Sequence, residues 1–115
     1  MTEVDADPLQ KLRPNYLRRL VERVALLETL LNALRAEEVD ADTVGSVHRT
    51  AHSMGSSAAI YGYRGLSIAA REAEAAFASS EWPKAEGLKR LEALIAAARS
   101  VAMTENCDLP DRADG

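Results

Sequence analysis

The chain contains two histidines, His48 and His52, and both lie in one stretch. An imidazole of ordinary pKa, about 6.5, is largely neutral near neutral pH, and its free ring nitrogen can act as nucleophile or ligand. A spacing of four puts both rings on one side of a helix, which is also the spacing of helix-borne zinc ligands. However, no Glu lies between them in the metalloprotease pattern, no thiolate is near, and two ligands are an incomplete set. Cys107 is the single cysteine, so neither an internal disulfide nor a cysteine zinc cluster can form. No metal and no cofactor is expected. Glu72 and Glu74 do not form a catalytic pair, because residues two apart on a helix point in different directions. Glu74 reads as a helix-surface or interhelix hydrogen-bonding group. Tyr61 and Tyr63 read as packing and turn residues, and Trp82 as a packing residue of a loop. There is no acidic cluster for Mg²⁺ and no Gly-rich phosphate loop.

The histidines lie on a predicted amphipathic helix. Val44, Val47, Ala51, Met54, Ala58 and Tyr61 recur at spacings of three and four. At about 100° per residue, His52 points roughly 130° away from the mean direction of this apolar stripe and His48 roughly 90° away. His52 is therefore expected to face solvent and His48 to sit at the edge of the core. Around His52 on the helix surface lie His48, Arg49, Gly55 and Ser56, with Gly45 and Ala59 one turn further out. A glycine inside a helix costs about 1 kcal/mol relative to Ala. Gly45 and Gly55 thus have two readings: close packing of a neighbouring helix, or a cleared surface over which another protein reaches the imidazole.

The elements that position this helix follow from the rest of the pattern. The 115 residues fit one domain, 47% of them hydrophobic and 28% charged. The apolar residues are mostly Ala, Leu and Val, which together with few aromatics argues for an all-α fold. Asp7-Pro8 reads as an N-cap and first helical residue. Pro14 is expected to end a short helix near Arg13 and open a long one to about Ala36, with a stripe of Leu17, Leu20, Val24, Leu27, Leu31 and Leu34. Glu37 to Asp42 is a polar break, with Asp42 or Thr43 as the next cap, and Gly62 is a left-handed helix end. Leu66, Ala70, Ala73 and Phe77 form a third pattern. Pro83 starts a fourth, which carries Leu88, Leu91, Ile95, Ala98 and Ala102. The predicted fold is an antiparallel up-down-up-down four-helix bundle with a short extra N-terminal helix. It spans residues 1–104 as one domain, followed by a disordered tail at 105–115. Its core is expected to hold Leu20, Val24, Leu27, Val47, Ala51, Met54, Leu66, Ala73, Leu91 and Ile95. A net charge of -4 gives no reason to expect nucleic acid or anionic membrane as partner. No apolar run approaches the roughly 20 residues of a membrane span. The acidic start MTEVDADP resembles neither signal nor transit peptide, so a cytoplasmic location is expected.

The stretch Arg49-Thr50-Ala51-His52-Ser53-Met54-Gly55-Ser56-Ser57-Ala58-Ala59-Ile60-Tyr61-Gly62-Tyr63, followed by Leu66 and Glu74, resembles the core of the histidine phosphotransfer (HPt) family. That family shows Ala-His-x-Leu-Lys-Gly-Ser-Ser/Ala, then a Gly, a Leu and a Glu at the offsets that Gly62, Leu66 and Glu74 have from His52. The resemblance is specific over residues 44–77. It implies a four-helix bundle with an exposed phosphoacceptor, His52, on its second helix. It also implies a phosphoryl carrier of a two-component phosphorelay rather than an enzyme. The implied partners are a response-regulator receiver domain and a sensor histidine kinase or hybrid kinase, with Mg²⁺ on the receiver only. The family's Lys-Gly is Gly55-Ser56 here, so the lysine that faces the phosphoryl group is absent, and Arg49 is the candidate to replace it. Gly45, Arg49, Gly55, Ser56 and Ala59 form the candidate phosphoryl-stabilising or docking set. A second reading, opened by the missing Lys, is an HPt-like helical adaptor or inhibitor that binds a receiver or kinase without phosphotransfer.

Overall fold

The structure, a computed structural model, describes residues 8–36, 39–79 and 81–107. The acidic start (1–7), Glu37 and Glu38 of the polar break, Ser80 and residues 108–115 of the predicted tail lie outside them. Four helices follow in order, α1 Pro8–Arg35, α2 Ala41–Tyr61, α3 Arg64–Ala76 and α4 Lys84–Cys107. Each packs on its neighbours in the chain, and α1 also packs on α4, closing a ring of four around one core. Contacts pair rising with falling residue numbers, as in helices that run antiparallel. Arg13 and Arg23 of α1 meet Tyr61 and Ser53 of α2, and His48 and Gly55 of α2 meet Glu74 and Ser67 of α3. Glu28 and Arg35 of α1 likewise meet Arg99 and Glu92 of α4.

The apolar stripes form the core. All ten residues predicted to be buried are buried, and Tyr16, Leu17, Leu34, Phe77 and Leu94 join them. Packing of this kind holds helices of moderate length that would be marginal alone. Trp82 packs on Phe77 with the rings tilted by 31° and their centroids 4.8 Å apart, closing the loop before α4. The ring comes so close to α4 that a Cβ on Gly87 would lie 2.5 Å from it. A glycine is therefore required there for steric reasons.

Three boundaries differ from the sequence reading. The short N-terminal helix is not separate: α1 runs unbroken through Pro14. Proline removes one hydrogen bond, to the carbonyl four residues back, and crowds that carbonyl. Here the loss falls within the first two turns and is offset by packing on both sides of it. Arg13 Nη1 donates to the Tyr63 hydroxyl at 2.8 Å, and Tyr16 stacks on Tyr61 at 4.3 Å. The cap of α2 is Asp40, not Asp42 or Thr43. Its carboxylate accepts from the Thr43 N–H at 2.8 Å and from the Thr43 hydroxyl at 2.7 Å. These two bonds hold the Asp40 carboxyl below the usual carboxylate range. α4 continues to Cys107, past Thr104 where the apolar period fades. Gly62, by contrast, ends α2 as read, with φ 85°, and its left-handed turn lets the Gly62 and Tyr63 N–H groups close on Ala59 and Ala58.

Candidate functional site

α2 and α3 lie close together, and small residues permit this. Gly55 is buried, and a Cβ there would meet Ala70 Cβ at 3.4 Å and Arg71 Cγ at 3.5 Å. The Ser67 hydroxyl, itself buried, donates to the Gly55 carbonyl at 3.0 Å and ties the two backbones. The two readings of Gly55 are thereby separated. It is a packing glycine under α3 and is withdrawn from the exposed surface around His52.

This close approach brings the α3 carboxylate Glu74 to the histidines. The His52 side chain is 65% exposed, and its Nδ1 lies 2.8 Å from Glu74 Oε2. His48 is half-buried, and its Nδ1 lies 3.0 Å from the Glu74 backbone carbonyl, to which it can only donate. One residue of α3 thus orients both rings, with its side chain on the outer ring and its main chain on the inner one. A carboxylate opposite Nδ1 favours the tautomer that carries its proton there and leaves the Nε2 lone pair free. Nε2 of His52 has no partner among the described residues.

The other candidates fall at different depths. Ser56 and Ala59 are exposed beyond His52, Arg49 is exposed before it, and Gly45 is half-buried. The Arg49 guanidinium is folded back along α2. Its Nη2 lies 3.4 Å from Ser46 Oγ and its Nη1 3.2 Å from where a Gly45 Cβ would sit. The charge expected from Arg49 therefore lies toward the N-terminal end of the helix, one turn before His52. Beyond Ser56, a groove between the helices is lined by Ala59, Arg64, Ile68 and Arg71. Ile68 and the nearby Ile60 are exposed, at 49% and 62%. Sequence reasoning read Glu74 as a helix-surface or interhelix hydrogen-bonding group without placing it in the site. Its offset from His52 was the available signal. Arg71, three residues before it on the same side of α3, and Ile68, three before Arg71, had no signal of their own.

The profile of the Hpt domain family matches residues 11–101, from the second turn of α1 to the last turns of α4. The chain belongs to the Hpt domain family. Searches of curated proteins and of solved structures gave no match. Hpt domains have a histidine phosphotransfer role in phosphorelays, acting as phosphoryl carriers that meet kinase and receiver domains. The helical bundle described above is the fold that goes with that role. Among the described residues of this Hpt domain, no three His, Cys, Asp or Glu side chains cluster as metal ligands, and no helix is long and apolar enough to cross a membrane.

Proposed function

We propose that this Hpt domain carries its phosphoryl group on Nε2 of His52, exchanging it with the aspartate of a response-regulator receiver domain. The observation that carries the reading is the exposed ring held through Nδ1 by Glu74. In the transfer, Nε2 attacks the phosphorus of the aspartyl phosphate. The N–P bond forms, and the P–O bond breaks with its electron pair leaving on the carboxylate. No proton has to leave Nε2. The imidazole becomes a cation whose Nδ1–H donates to Glu74, so the carboxylate is most useful once the ring is charged. Most of the remaining catalysis of phosphoryl transfer is positioning and charge neutralisation. The receiver supplies the aspartate and Mg²⁺, and this chain supplies the nucleophile.

The surface around His52 suits such a partner. Ser56 and Ala59 are small, Ile60 and Ile68 are apolar, and Arg49, Arg64 and Arg71 are cationic opposite the acidic centre that a receiver presents. Upstream, a sensor or hybrid histidine kinase fills the phosphoryl chain, and both exchanges fit a cytoplasmic location. The test is incubation with a phosphorylated receiver domain followed by mass-spectrometric site mapping. Label on His52, lost in His52→Gln and kept in His48→Gln, supports the reading. Label retained on His52→Gln removes it, and receiver binding without any label leaves an adaptor.

A further inference from the structure

A phosphoryl group on His52 would bring close to two negative charges, yet α2 offers no cation on the turn that follows the ring. The residues three and four positions on are Gly55 and Ser56. The one cation on the preceding turn, Arg49, is turned toward Ser46 and Gly45. The space beside Gly55 is nevertheless filled, from the other helix. The Arg71 Cγ lies 3.5 Å from the position a Gly55 Cβ would take, so a side chain at 55 and the stem of Arg71 compete for one volume.

We propose that Arg71, reaching across from α3, is the cation that neutralises the phosphoryl group on His52. The inference rests on the assignment of the phosphoryl group to His52. Arg71 stands three residues before Glu74, on the same side of α3, and Glu74 is the residue that touches the His52 ring. The ridge that orients the nucleophile therefore also carries a positive charge one turn away. Arg71 is exposed and makes no ion pair among the described residues. The acidic neighbours on its helix are already engaged, Glu72 with Arg90 at 2.9 Å and Glu74 with His52. A guanidinium offers several donors in one plane and matches the oxygens of a phosphoryl group. Its stem lies along α2, so ordering it costs little further freedom. Gly55 and Arg71 are then two halves of one arrangement, in which the α2 position is emptied so that the charge can come from α3.

The experiment uses the full chain and phosphoramidate, a small donor that needs no docking. Nε2 of His52 attacks its phosphorus, and ammonia leaves with the electrons of the P–N bond. Arg71→Met keeps the apolar stem and removes the charge, Arg71→Lys keeps the charge, and Arg19→Met makes the same charge change on an exposed position of α1. Labelling rate is followed together with the pH midpoint of the ³¹P resonance of the phosphorylated protein. A nearby cation favours the dianion, so its loss raises that midpoint. The expected result is roughly tenfold slower labelling and a raised midpoint in Arg71→Met, with Arg71→Lys close to wild type and Arg19→Met unchanged. Wild-type labelling and midpoint in Arg71→Met would overturn the inference alone, as would the same losses appearing in Arg49→Met instead. Absence of label on wild-type His52 would overturn the phosphoacceptor assignment together with it.

Discussion

At the residue scale, the two imidazoles differ in what each can release. His48 donates Nδ1–H to a main-chain carbonyl and is half-buried, so a phosphoryl group on it would place charge against the core edge at a desolvation cost. His52 faces solvent with its inner nitrogen occupied and its outer one open. Removing the Glu74 carboxylate releases the ring tautomer and withdraws a charge-assisted hydrogen bond that strengthens as the ring becomes cationic. Such a bond is worth about 1.5 kcal/mol at a partly exposed site, or roughly tenfold in rate. Glu74→Ala is expected to slow transfer to His52 about tenfold at unchanged helix content, and Glu74→Gln, which keeps an acceptor oxygen, to slow it less. Single-turnover transfer from a phosphorylated receiver measures this, and a wild-type rate in Glu74→Ala would mean that the contact is structural only. How much of this site was legible follows from the same residues. The exposure of His52 was readable because it depends only on the phase of one helix. The engagement of Glu74 was readable as an offset but not as a contact, because it depends on how closely α3 approaches. That distance is set by Gly55, Ser67 and Ala70 together.

At the element scale, local rules placed the helices and tertiary contacts corrected their ends. Pro14 read as a boundary because proline breaks the ladder, yet α1 continues because Arg13 and Tyr16 are held by the α2–α3 turn on either side of it. The cost remains in the helix. Pro14→Ala is therefore expected to raise stability by about 1 kcal/mol or more, measured by urea unfolding, with slower amide exchange in the first turns of α1. Leu94 escaped the stripe traced through Leu91 and Ile95 because α4 packs on both α1 and α3, and a helix between two neighbours buries a wider face than one period shows. The glycines of α3 and α4 make opposite cases. A Cβ at Gly65 meets nothing within 4 Å, whereas one at Gly87 collides with the rigid Trp82 ring. Gly65→Ala is expected to be neutral or stabilising by a few tenths of a kcal/mol. Gly87→Ala is expected to lower stability by about 1–2 kcal/mol, because overpacking exceeds the gain in helix propensity. A thermal melt in which Gly87→Ala equals wild type would show that the Trp82 loop yields freely.

At the scale of the whole molecule, the bundle is closed by its core, and the surface charges add little. The ion pairs from α4 to α1 and α3 involve Arg35, Arg90 and Arg99, all exposed, and such pairs contribute about 0–1 kcal/mol each. One end of the bundle is held differently. Tyr16 of α1 stacks on Tyr61 and on Tyr63, with ring centroids 4.3 and 5.8 Å away, joining the start of α1 to the α2–α3 turn. The Tyr16 hydroxyl is buried and has no hydrogen-bond partner among the described residues. Burial, reinforced by the neighbouring Tyr63 and Tyr61 phenols, pushes its pKa up to about 12 from 10.0. In the unfolded chain the phenol ionises near 10, while in the folded chain it keeps its proton until about 12, so across that window the folded state binds more protons. Stability is intact below pH 10 and falls as pH rises from 10 toward 12. Tyr16→Phe removes the titrating group together with the unpaired buried hydroxyl. It should match or exceed wild-type stability at pH 7, by up to about 1 kcal/mol, and its advantage should widen steadily above pH 10. Urea midpoints of the two proteins between pH 7 and 11 test this, and a constant difference across that range would mean that Tyr16 ionises in the folded state as it does in the unfolded one.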